Sequence, residues 1–193
     1  MPVVVLVVVA AVVAGRLRGG SLTRLSTLAL PGWQLVALAV AAQGGGALAV
    51  ARGAPGSAYA VALVVSALLV TGFVVLNRGL AGMSLVAAGF ALNALVVSAN
   101  GGMPVSLWAA ARAGIQVAPI VSGSGRHEVA GAATRLRPLG DVVPAPLPWS
   151  PLSSVLSPGD VVLSAGLGVL VSSAMAPPPG TRRRRQTRSW ASA

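Results

Sequence analysis

Residues 58–76 read AYAVALVVSALLVTGFVVL, residues 77–79 read NRG, and residues 80–99 read LAGMSLVAAGFALNALVVSA. Each apolar run has about the 20 residues needed to cross roughly 30 Å of hydrocarbon, and neither carries a charge. The three-residue connection makes them antiparallel neighbours. In water the valines would favour strands. In lipid an open sheet edge leaves backbone N–H and C=O groups without partners, whereas a helix satisfies them internally. An outer-membrane barrel would instead need short alternating segments. The pair therefore predicts two transmembrane helices.

Working outward, residues 32–51 form a third apolar run, with Pro31 suited to a first helical turn and Trp33 to the headgroup level. The first run, residues 1–15, reaches only about 22 Å as a helix. Its arginines, Arg16, Arg18 and Arg24, follow it rather than precede it, so it reads as a retained anchor and not as a signal peptide. Residues 161–176 follow Ser157, Pro158, Gly159 and Asp160, a helix start with an acid near the positive end of the dipole, and stop at Pro177. The expected fold is all-α, a polytopic helical membrane protein with about five spans (1–15, 32–51, 58–76, 80–99 and 161–176). One long exterior loop, 100–157, separates the fourth from the fifth. Residues 1–176 make a single membrane domain, and 177–193 a basic, disordered tail.

Composition agrees. The chain is 55% hydrophobic and 9% charged, against about a quarter charged in soluble domains. With no cysteine, disulfides and thiolate metal sites are excluded. The net charge of +11 comes from arginine alone. These arginines lie at the ends of apolar runs and in the tail, which points to orientation and anionic headgroups rather than nucleic acid. With the N-terminus outside, nine arginines fall on the inner side and five on the outer. Arg182, Arg183, Arg184 and Arg185, just beyond the last span, belong on the cytoplasmic face. The expected location is the inner (plasma) membrane, multi-pass, with a cytoplasmic C-terminus and the bilayer as partner.

The polar features concentrate late. No acid occurs before Glu128, and Glu128, Asp141 and Asp160 complete the set. Asn100, Gly101, Gly102, Met103 and Pro104 end the fourth helix, glycine permitting a left-handed cap and proline blocking continuation. The loop is too proline-broken for a long helix. With Trp108, Ile115, Val117, Ile120, Trp149 and Leu152 it is also too apolar for a solvated linker, so it is expected to lie on the membrane face or dip between helix ends.

The run Gly15, Arg16, Leu17, Arg18, Gly19, Gly20, then N-G-G-M-P at 100–104, His127, L-G-D at 139–141 and S-P-G-D at 157–160, resembles a family of small bacterial polytopic membrane proteins of unknown function. The likeness covers nearly the whole chain. It implies architecture and membrane location, and neither activity nor cofactor. Between the Met-Pro motif and His127 it makes Arg112 and Gln116 only weak candidates.

The residues themselves allow several chemistries. His127, Glu128, Asp141 and Asp160 carry one nitrogen and three carboxylates, in principle a metal set or an acid and base pair, but with no recognised spacing. No metal or cofactor is expected. Asp141 and Asp160 have a simpler use as ion-pair partners of Arg126, Arg135 or Arg137, tying the loop to the last span. Serines are common, yet no G-x-S-x-G elbow is present. Within the spans, Gln43, Ser66, Thr71, Asn93 and Ser98 suit interhelical hydrogen bonds. Asn93 and Asn100, seven apart, share the face of the fourth span that looks into the bundle. No acid lies inside a span, so a proton relay has no obvious carrier.

The favoured function is a non-enzymatic membrane component in which Asn100, His127, Asp141 and Asp160 organise an exterior-facing polar site or partner surface, the partner itself being unidentified. The rivals are a small-solute transporter or channel using a helix break at Gly44, Gly45 and Gly46 with Asn93, and a metal-dependent membrane hydrolase.

Overall fold

The structure is a computed structural model that describes residues 2–55, 57–116, 127–148 and 153–177. The chain is mostly helical. Its elements run α1 (Pro2–Leu17), α2 (Leu22–Ser26), α3 (Trp33–Ala51), α4 (Ser57–Leu76), α5 (Met83–Asn100), β1 (Met103–Val105), α6 (Leu107–Arg112), β2 (His127–Val129), a 3-10 turn (Arg137–Leu139), β3 (Val143–Ala145), β4 (Ser154–Leu156) and α7 (Pro158–Met175). Among the described residues four helices, α3, α4, α5 and α7, are long and apolar enough to cross a membrane. The first apolar helix is shorter, Val3–Leu17. Large side chains on the helices face outward, Val40 being 67% and Leu68 68% exposed. That pattern suits a bundle whose solvent is lipid.

If apolar bulk faces lipid, something else must hold the helices together. On α5, Gly82, Val86, Gly89, Asn93 and Val96 recur at spacings of four and three, which places them on one face. On α7 the matching positions are Gly159, Leu163, Gly166 and Leu170. A Cβ at Gly82 or Gly89 would collide with the backbone of Gly166 or Gly159, respectively. The two helices therefore run antiparallel at backbone contact, the small-residue packing of membrane helices. Met83, Val86 and Leu170 form the buried core beside this seam.

On another face of α7, Gly168 meets Val7 and Ala11, and Met175 meets Gly15, so α1 runs parallel to α7. The chain end of α7 is closed by the residues that follow the G-R-L-R-G-G run: the Met175 carbonyl accepts from the Ser21 N–H at 3.1 Å and from the Arg24 guanidinium at 3.2 Å. Arg16 donates to the Gly20 carbonyl.

The α3 and α4 helices pair separately and antiparallel. Gln43 donates to Ser66 at 2.6 Å across the pair, and Gly46 lies against Ala62. At the α4 to α5 turn, buried Asn77 donates to the Pro31 carbonyl at 2.8 Å and to that of Phe73.

The α3 helix is continuous through Gly44, Gly45 and Gly46, without the break that the transporter alternative would use; Gly46 packs on Ala62 of α4, while Gly44 and Gly45 face open space. Two expectations need correcting. Pro31 precedes the first turn, which begins at Trp33 after Gly32 in the left-handed conformation. The polar segment contains four short strands, since proline stops helices but leaves extended backbone free to pair.

Candidate functional site at the polar end

The ends of α5 and α7 meet a small sheet assembly. Gly101 closes α5 with φ 83°, a left-handed cap, and turns the chain into β1. Both neighbours of β1 come from far along the chain. On one side β2 pairs parallel with it, Met103 opposite His127, Pro104 opposite Glu128 and Val105 opposite Val129. On the other, Asp141 bridges Val105, its N–H donating to the Pro104 carbonyl at 2.8 Å and its carbonyl accepting from Ser106 at 2.9 Å. Gly140 has no room for a Cβ, which would press on the Pro104 carbonyl oxygen. The Met-Pro and Leu-Gly-Asp motifs are thus two halves of one ladder. Antiparallel β3 and β4 then lead to α7.

Paired residues of parallel strands share a face, and successive residues alternate. His127 and Asp141 accordingly project to the same side, with Nε2 and Oδ2 3.8 Å apart. Asp141 is 7% exposed. Burial, and secondly the negative charge of Asp160, raise its carboxyl from 3.8 to about 7. Around neutrality this acid is divided between its two forms. Desolvation is the larger of the two causes, because taking a carboxyl out of water disfavours its charged form.

Asp160 is held differently. Ser157 caps α7, accepting from the Asp160 N–H at 2.9 Å, while Asp160 Oδ2 accepts from the Ser157 N–H at 3.2 Å. This reciprocal capping box is completed across the seam. Asn93 Nδ2 donates to Asp160 Oδ1 at 2.7 Å, and Asn93 Oδ1 accepts from Ser157 Oγ at 2.8 Å. Gly159 admits Asn93, since any side chain there would overlap its amide.

Asn100 forms a third unit. Its Nδ2 donates to the Arg135 carbonyl at 3.0 Å and its Oδ1 accepts from the Arg135 N–H at 2.8 Å. One side chain reads both backbone groups of a residue 35 positions away.

The four sequence-selected residues therefore occupy one end of the bundle in separate roles. His127 and Asp141 pair, Asp160 joins α7 to α5, and Asn100 clamps the loop. Among the described residues, no arginine pairs with Asp141 or Asp160. The ion pair seen among the described residues is His127 with Asp141, Arg135 is engaged through its backbone, and Arg126 lies outside the described residues. Arg112 instead stacks over Trp108 at 5.6 Å. Ser157 and Asn93 belong with Asp160, and the S-x-x-D spacing was the available signal for the serine. Among the described residues, no three His, Asp or Glu side chains gather as metal ligands. Trp149 and the arginine tail lie outside the described residues.

A protein-family model for a family of unknown function matches residues 27–172, taking in the Met-Pro, Leu-Gly-Asp and Ser-Pro-Gly-Asp motifs but starting after G-R-L-R-G-G. No curated protein and no solved structure matches the chain. With the match covering most of its length, the chain belongs to DUF5317, a family of unknown function.

Proposed function

We propose that this protein is a non-enzymatic component of the bacterial inner membrane, in which five helices span the bilayer and the polar end faces the exterior. Asn100, His127, Asp141 and Asp160 organise a partner surface there, and the C-terminal arginines meet anionic headgroups on the cytoplasmic side. The observation that carries the reading is the buried Asp141 beside His127. Taking a carboxyl out of water costs stability, and a scaffold alone would be served as well by asparagine.

The test is complementation of a deletion strain with the Asp141→Asn and Asp160→Asn double variant, alongside its abundance in membranes. Lost complementation at normal abundance supports the reading. Unchanged growth and abundance would remove the case for a functional site. A reporter fused after Arg188 tests the orientation.

A further inference from the structure

The β1 to β2 ladder has two faces. His127 and Asp141 project to one, and Glu128, the next residue along β2, projects to the other. There it lines a cavity of about 570 Å³ at the end of α5, together with Asn100, Thr134 and Arg135. Sites for small ligands occupy about 300–1,000 Å³.

The walls of this cavity are fixed by hydrogen bonds that leave its two charged side chains out. Glu128 is held through its backbone by the ladder. Arg135 is held by Asn100, which engages both its N–H and its carbonyl. Between them residues 131–134 close a turn: the Gly131 N–H donates to Thr134 Oγ1 at 2.9 Å and the Thr134 N–H to the Gly131 carbonyl at 3.2 Å. Among the described residues, neither the Glu128 carboxylate nor the Arg135 guanidinium has an ion-pair or hydrogen-bond partner. One cavity thus carries an acid and a base that are positioned by backbone and not spent on each other.

We infer that this cavity binds a compact zwitterion, its oxyanion at the Arg135 guanidinium and its ammonium at the Glu128 carboxylate. A guanidinium fork matches carboxylate or phosphate, and a carboxylate accepts from ammonium, in charge-assisted hydrogen bonds. A singly charged ligand would use one of the two groups and meet like charge at the other. An apolar ligand would use neither. The same chemistry belongs to free solutes, such as γ-aminobutyrate or O-phosphoethanolamine, and to the headgroup of phosphatidylethanolamine. Of the four residues in the partner surface proposed above, Asn100 alone lines this cavity, so the inference does not rest on that surface.

The full chain, in lipid discs of phosphatidylglycerol, would be titrated by calorimetry with O-phosphoethanolamine, γ-aminobutyrate, monomethyl phosphate and ethylamine. At least one of the two zwitterions should bind about tenfold more tightly than either singly charged compound, the scale of one charge-assisted hydrogen bond. Glu128→Gln should weaken the zwitterion about tenfold and at the same time strengthen monomethyl phosphate, because a like charge is removed. Arg135→Gln should weaken both, and it leaves the Asn100 clamp in place because that clamp uses only backbone groups of Arg135.

Discs in which half the lipid is phosphatidylethanolamine separate the two sources. Loss of solute binding in them assigns the site to the lipid headgroup, and unchanged binding assigns it to a solute. Both results keep the zwitterion. Equal affinity for zwitterion and monomethyl phosphate, or a Glu128→Gln variant that binds both as the wild type does, overturns the two-charge assignment. Absence of binding by either zwitterion in phosphatidylglycerol discs overturns the site itself.

Discussion

Asn93 on α5 and Asp160 on α7 share a 2.7 Å hydrogen bond across the glycine-packed seam between the two helices. The bond is possible because Gly89 and Gly159 let the two backbones touch, and it is oriented because Ser157 occupies the other end of the Asn93 amide. A helix cap and an interhelical contact are therefore one network. Whatever loosens the seam should also fray the start of α7.

Asn93→Leu keeps the side chain close in size but strips both partners. Asp160 and Ser157 then lose their cross-helix bonds in a half-buried setting, a cost of about 1–3 kcal/mol. Thermal unfolding in detergent should show a clear loss of stability for Asn93→Leu, and a smaller one for Asn93→Gln.

Glycines in this bundle are not equivalent. Gly89→Ala drives a methyl into the backbone of α7 and should destabilise by about 1–3 kcal/mol, as overpacking does. Gly44→Ala meets open space on a continuous helix and should be neutral or stabilising by up to about 1 kcal/mol. The two melting curves, measured side by side, check the contrast.

Asp141 should make stability fall with pH. Its folded value of about 7 lies above the 3.8 of the free carboxyl, so between those limits the folded state binds more protons than the unfolded one. Stability is greatest below about 4, declines as pH rises towards 7, and levels off above. Asp141→Asn should flatten that decline. A wild-type profile no steeper than the variant's would contradict it.

Asn100→Ala frees both backbone groups of Arg135. Each bond contributes about 0.5–1.5 kcal/mol, and the loss falls on a local segment rather than on the bundle. Limited proteolysis should cut near residues 131–137 several times faster, while the melting temperature moves little. Equal cleavage rates would show that the clamp is not what orders the segment.

Much of this was legible without coordinates. The α4 and α5 helices follow from two charge-free runs of bilayer length and a three-residue turn, and α7 from S-P-G-D ahead of an apolar stretch. Asn93 and Asn100 fall on one face by periodicity alone. Strands β1 and β2 were not legible, because each is three residues long and its partner is remote: Met103 pairs with His127 across a span whose sequence says nothing of register.

The sequence by itself determined which segments are helices and that their solvent is lipid, because hydrophobic length and unsatisfied backbone are local quantities. Only the tertiary structure decided the partners of the late acids. Their neighbours in sequence offered arginine, but backbone contact at glycine brought Asn93 to Asp160, and strand pairing buried Asp141 beside His127. Such choices depend on which surfaces can approach, and approach is a property of the packed chain.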